Sequence, residues 1–124
     1  MKLRLLLLAI LLPVSGVLLA QASFPKPVVA VIKTPQAQCE ECKQMIERFM
    51  KYEEGVAKVV VDIRKKITTV TFLKDRTNIE NIKTAIANLG FDADDITANE
   101  EQYKRLPQCC KREADGGGPP KKKQ

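Results

Sequence analysis

The stretch VVAVIKTPQAQCEECKQMIERFMKYEEG, residues 28–55, decides how the chain is read. It opens with Val28 to Ile32, an almost continuous β-branched run behind Pro25 and Pro27, which reads as a central strand with a proline stop before it. From Glu40 to Tyr52 the apolar residues Met45, Ile46, Phe49 and Met50 recur at helical spacing. Gly55 follows where a helix end takes a left-handed residue. That periodicity puts Met45, Phe49 and Met50 in a core rather than around an ion. Between strand and helix stand Cys39 and Cys42, the second of them in the opening turn of the helix.

Working outward, Val59, Val61 and Ile63 alternate with Lys58, Val60 and Asp62, and Ile67 to Phe72 is again rich in β-branched residues. The two segments read as a hairpin with Arg64-Lys65-Lys66 as its solvated tip. Thr77 with Glu80 has the form of a capping box, and Ile79, Ile82, Ile86 and Leu89 then follow one helical face up to Gly90. Asp92 to Ala98, with Ala93 and Ile96 among acidic residues, reads as a short edge strand protected by its charge. The order βαββαβ predicts an α+β, ferredoxin-like sandwich: a four-stranded antiparallel sheet with both helices on one face. A short C-terminal helix is expected over Asn99 to Leu106, with Tyr103 and Leu106 on one side and Pro107 at its end.

At the front, Lys2 and Arg4 precede the apolar run Leu5 to Leu12, and Ala20-Gln21-Ala22 has the small-x-small form of a signal-peptidase site. Pro13, Ser15 and Gly16 interrupt the apolar stretch, which falls short of the roughly 20 residues of a membrane span. Cleavage after Ala22 is therefore expected, giving an exported protein, periplasmic or extracellular, that is not an integral membrane protein. Lys2 and Arg4 would leave with the signal and take two of the six net positive charges of the 124-residue chain. Much of the rest lies in the tail after Cys110, where five basic residues face Glu113 and Asp115. The nearly neutral remainder gives no ground for a nucleic-acid partner. The expected organisation is a signal peptide over 1–22, one domain over 23–98, an extension over 99–110 ending in Cys109-Cys110, and a disordered basic tail over 111–124.

Four cysteines in an exported chain would ordinarily suggest two disulfides. Here they fall into a CxxC and an adjacent pair 66 residues further on, and the intervening segment has its own hydrophobic pattern. A disulfide-built scaffold is thus disfavoured, although a cross-link between the pairs, or a bridge within the CxxC, stays open. With the first cysteine in a loop and the second in the first helical turn, both sulfurs can converge on one ion. Unpaired N–H groups and the partial positive charge of the helix N-terminus favour the thiolate that a metal needs. Thiolates select Cu(I), Hg(II), Zn(II) or Cd(II) over hard ions. The chain has no histidine, the usual partner in a catalytic zinc or Cu(II) centre.

With a strand that delivers Cys39 and Cys42 to the first helix, the βαββαβ order and Leu89-Gly90-Phe91-Asp92-Ala93 closing the second helix, the chain resembles heavy-metal-associated domains. That family includes copper chaperones, periplasmic mercury-binding proteins and domains of metal-pumping ATPases. The resemblance covers roughly Val28 to Ala98, with Gln36-Ala37 where the family usually has Gly-Met. It implies that Cys39 and Cys42 are metal ligands and that Phe91 lies close to the metal loop. Cu(I) or Hg(II) is the favoured ion, with Zn(II) or Cd(II) as alternatives. The implied role is a non-enzymatic, monomeric carrier, chaperone or scavenger whose partner is a metal donor or acceptor protein, a membrane metal transporter included. Glu40 and Glu41 between the cysteines oppose thiolate formation but suit a divalent ion. Two other functions fit a CxxC: a thiol-disulfide oxidoreductase, disfavoured by the element order and by the lack of Trp or Pro beside the cysteines, and an interaction module with a structural disulfide. The chain after the last expected strand is long enough to return to the metal loop, so Cys109 and Cys110 are candidates for an additional ligand or a lid.

Overall fold

A computed structural model describes residues 23–119 and 121; the expected signal peptide over 1–22 lies outside the described residues. The elements run β1 (Val28–Lys33), α1 (Glu40–Met50), β2 (Val56–Asp62), β3 (Ile67–Phe72), α2 (Ile79–Asn88) and α3 (Glu100–Lys104). Two 3₁₀ turns follow, over Gln108–Cys110 and Glu113–Asp115. The sheet is antiparallel, in the order β1-β3-β2.

Among the described residues β3 lies between the other two strands, and its alternation decides which face is covered. Thr68, Val70 and Phe72 point inward and are buried, joined by Ile32 from β1 and Val61 from β2. Helix α1 sets Cys42, Ile46 and Met50, each four residues apart, against this face, and α2 adds Ile82 and Ile86. The opposite face carries Val29, Val31 and Val60, all exposed. Phe49, expected in the core, is instead 47% exposed, because it lies off the stripe of residues 42, 46 and 50 and rests against Arg48, whose guanidinium is 5.2 Å from the ring. The second helix is capped by Asn78 rather than by a Thr77–Glu80 box: the Asn78 side chain accepts from the Asn81 N–H at 2.9 Å.

The fourth strand expected over Asp92 to Ala98 is not formed. Ala93 and Ile96 pair with each other in a single bridge, closing a tight turn. Asp94 at its tip adopts a left-handed conformation, φ 52°, which no strand can propagate. The turn still meets the sheet at one place. The Asp94 N–H donates to the Lys33 carbonyl at 2.9 Å, and the Asp94 carboxylate accepts from the Lys33 N–H at 2.6 Å, so one residue does with backbone and side chain what a strand would do with its ladder. Lys83 reinforces the turn through ion pairs to Asp95 at 3.0 Å and Asp94 at 3.7 Å. As a result β1, expected to be central, is an edge strand.

The other edge is satisfied in a related way. The Glu47 carboxylate accepts from the Val61 N–H at 2.9 Å, and the Lys43 ammonium donates to the Val61 carbonyl at 2.9 Å while pairing with Glu47 at 2.8 Å. One turn of α1 thereby tethers the helix to β2 just below the cysteine loop.

Gly90 sets the direction in which the chain leaves α2. Its φ is +103°, and a Cβ there would stand 2.9 Å from the backbone of Gln102 and Tyr103, so only glycine allows α3 to close on the end of α2. Gly90→Ala combines an unfavourable backbone conformation with a backbone clash and is expected to cost about 1–3 kcal/mol. Urea denaturation of the reduced protein measures the loss; a stability unchanged from wild type would mean that α3 is not held in this close approach.

Candidate metal centre

The loop Thr34–Gln38 carries β1 into α1 across the end of the sheet where the β2–β3 hairpin also turns. Thr34 fastens it to that turn: its N–H donates to the Lys66 carbonyl at 2.9 Å, and its hydroxyl meets the Thr68 hydroxyl at 2.9 Å in the buried interior. Gln36, only 1% exposed, accepts the Asp92 N–H at 2.8 Å and so binds the cysteine loop to the segment after Phe91. Its own amide nitrogen has no hydrogen-bond partner. Ala37 beside it is fully buried, as is Phe91. A polar tie, Gln36, and a small apolar residue, Ala37, thus support the loop.

Cys39 is the N-cap of α1, with extended backbone and no side-chain cap hydrogen bond. Its sulfur stands where a serine or aspartate oxygen would ordinarily accept from the first turn, so the orphan N–H groups of that turn favour negative charge on it. Cys42, one turn on, belongs to the buried stripe of α1. The two sulfurs are 3.0 Å apart.

The extension brings Cys109 and Cys110 to the same place. Asn99 caps α3, its carboxamide accepting from the Gln102 N–H at 3.1 Å, while its own N–H donates to the Ala87 carbonyl at 2.8 Å and ties the new helix to α2. Tyr103 and Leu106 are buried on one side of it, as their spacing predicted. Pro107 stops α3, and the turn Gln108–Cys110 aims the cysteines back at the first turn of α1. Cys39 is joined to Cys109 and Cys42 to Cys110 by disulfides, so the pairing runs between the two cysteine pairs and not within the CxxC. All four sulfurs lie within 4.8 Å of one another. Cys42 and Cys110 are fully buried, Cys39 is nearly so, and Cys109 lies partly buried with Glu41 at 3.9 Å from its sulfur.

A group of residues with no cue in the spacing of the sequence holds the extension down. The Arg112 guanidinium makes a forked contact with the Asp92 carboxylate, at 2.9 and 3.2 Å from one nitrogen and 3.3 Å from another, and stacks 4.3 Å over the Tyr103 ring. The Asp92 carboxylate raises the pKa of Arg112 above its ordinary value. The Tyr103 hydroxyl accepts the Arg112 N–H at 2.8 Å and donates to Asp115; burial first, and the Asp115 contact second, push its pKa up and keep it a donor. Gln38 donates to the Lys111 carbonyl at 3.1 Å. The basic tail expected to be disordered from Lys111 onward therefore begins with an ordered stretch through the turn Glu113–Asp115. Arg112→Ala should leave thermal stability nearly unchanged, since the ion pair is partly exposed, yet should speed alkylation of Cys109 and Cys110 in the reduced protein by several-fold. Equal alkylation rates would show that Arg112 does not hold the extension.

Four cysteine sulfurs gathered at a helix start on a small α+β scaffold form an arrangement that could hold a metal ion. Residues 31–92, half the chain, match the heavy-metal-associated domain model, and the chain belongs to that family. It is 31% identical over 78 residues to the mercuric transport protein periplasmic component of Acinetobacter calcoaceticus, covering 59% of this chain and 86% of that one. It is 29% identical over 62 residues to the copper chaperone CopZ of Staphylococcus haemolyticus, covering 50% and 91%. A copper-exporting P-type ATPase of Staphylococcus epidermidis is 27% identical over 73 residues, but the chain spans only 9% of its length. Among solved structures, oxidised MerP of Ralstonia metallidurans shares the fold with TM-score 0.52, at 24% identity, covering 54% of this chain and 93% of that one. A copper-binding domain of a P-type ATPase matches with TM-score 0.52 at 26% identity, covering 58% and 96%. The family match ends at residue 92, so α3, Cys109 and Cys110 lie beyond it. Among the described residues no helix is long and apolar enough to cross a membrane.

Proposed function

We propose that the protein is an exported, non-enzymatic carrier or scavenger of soft metal ions, and that Cys39 and Cys42 are its primary ligands. The observation that carries this reading is the convergence of the two sulfurs, 3.0 Å apart at the start of α1, in a domain of the heavy-metal-associated family. Relatives named for mercuric transport and copper chaperoning support Hg(II) and Cu(I) as cargo, with Zn(II) and Cd(II) as alternatives. The partner is a protein that gives or takes the ion by thiolate exchange, and the small-x-small site at Ala20-Gln21-Ala22 supports export with Ser23 as the first mature residue. Anaerobic titration of the reduced protein with Cu(I) or Hg(II), with thiols counted before and after, tests the assignment. One tightly held ion per chain, with the thiols protected from alkylation, is the expected result; no uptake would remove it.

The disulfides Cys39–Cys109 and Cys42–Cys110 favour a second reading, in which the four cysteines are a structural staple in an oxidising compartment. Thiol counting on protein isolated without reductant separates the two: a chain with no titratable thiol that gains no metal after reduction is a stapled module.

A further inference from the structure

We infer that Cys109 and Cys110 convert the reduced site into a closed, four-thiolate centre for a tetrahedral divalent ion of the Zn(II) or Cd(II) kind. The proposal rests on the metal-binding reading above and deepens it by naming the ion class and the complete ligand set. Its basis is the juxtaposition of four sulfurs, all within 4.8 Å of one another, contributed by two segments about 70 residues apart. A zinc ion with four thiolates at about 2.3 Å requires sulfurs about 3.8 Å apart along each edge of the tetrahedron. Cys39 and Cys110 stand at 3.8 Å and Cys109 and Cys110 at 4.0 Å. Cys39 and Cys42 are closer, at 3.0 Å, and they, like the two bonded sulfurs of each disulfide, must part by side-chain rotation once the disulfides are reduced.

An open two-sulfur site hands its ion over because an incoming thiolate can attack it. Here the position that such a thiolate would take is filled by Cys110, itself fully buried. The extension is held there by contacts that do not depend on sulfur: Leu106 and Tyr103 in the core, Arg112 on Asp92, and Gln38 on Lys111. An ion content with two collinear sulfurs gains little from two further ligands, whereas an ion that prefers four loses nothing to water at this site. The two negative charges left on a divalent tetrathiolate meet the partial positive charge of the N-terminus of α1, while the Glu41 carboxylate, 3.9 Å from the Cys109 sulfur, opposes them. The resulting site favours retention over transfer, and delivery requires the extension to lift away.

The test uses the full chain, reduced and loaded anaerobically with cadmium-113, because the chemical shift of that nucleus moves with the number of sulfur ligands. The wild-type protein should give the signal of four sulfurs. In Cys109→Ser/Cys110→Ser the signal should move to that of fewer sulfurs, and loss of cadmium to a competing chelator should quicken by more than about tenfold. A wild-type signal with only two sulfurs would overturn the closed centre even if Cys39 and Cys42 still took up Hg(II) or Cu(I), and the simpler metal-binding reading would stand. A wild-type protein that takes up none of these ions would remove both. Since the decisive signal is measured on the wild-type chain, the conclusion does not depend on how well the variant folds.

Discussion

Cys39→Ser combined with Cys42→Ala should abolish tight binding of one soft metal ion per chain, weakening retention by well over about a hundredfold, the upper range for outer-shell changes around a metal. Alanine is the choice at position 42 because Cys42 is fully buried on the stripe of α1 with Ile46 and Met50, where a serine hydroxyl would be left in apolar surroundings. Cys39 is the N-cap, a position that serine fills well. Circular dichroism of the reduced, metal-free variant should match reduced wild type, so that lost binding cannot be confused with lost fold. Undiminished uptake of Hg(II) or Cu(I) would show that the primary ligands lie elsewhere.

Phe91→Ala should have the largest effect on stability. The side chain is fully buried, and its backbone neighbours are the residues that tie the sheet end together: Gly90 turns the chain toward α3, and Asp92 receives both the loop through Gln36 and the extension through Arg112. Removing a buried phenylalanine ring costs about 3–5 kcal/mol, a large fraction of the roughly 5–15 kcal/mol that holds a domain together. Urea denaturation of the reduced, metal-free protein should show it. The variant should also lose metal more readily, because both cysteine segments are braced against this residue's surroundings; a destabilisation below about 1 kcal/mol would mean that the ring does not organise the core.

Much of the fold is legible in the sequence because it rests on local periodicity. The β3 strand runs over Ile67–Phe72, as its β-branched run predicts, and α1 begins at Glu40 with Cys42 in its first turn. The misreadings share a cause: they depend on contacts between distant residues. The alternation around Ala93 and Ile96 suits a strand, but Asp94 can turn left-handed and use its carboxylate against Lys33, and that choice is made by the position of β1, not by the spacing of residues 92–98. Once the fourth strand is absent, β1 can only be an edge. Phe49 falls at a helical spacing compatible with the core, yet the stripe of residues 42, 46 and 50 already fills the space above the sheet. Asn78 and Thr77 are both good caps, and only the actual start of α2 at Ile79 distinguishes them. In the candidate site the CxxC announces itself, whereas the route of Cys109 and Cys110 depends on Gly90 and on Arg112 meeting Asp92, a pairing across 20 residues that no pattern advertises.

The two disulfides also differ in what they do to the unfolded chain. Either one alone, spanning 70 or 68 positions, removes the freedom of a long loop, worth about 4 kcal/mol on a chain-entropy estimate. The second then closes a ring of only a few residues, for which the same relation gives roughly half as much. A single bridge would thus have secured most of the benefit that cross-linking brings to folding. In the reduced chain an ion held by both segments would close the same long loop, so that oxidation and metal become alternative knots in one string. With neither present, the ends of that loop are held together by Gln38, Asn99, Tyr103, Leu106, Arg112 and their partners, and the protein's shape then reports the chemical state of its surroundings.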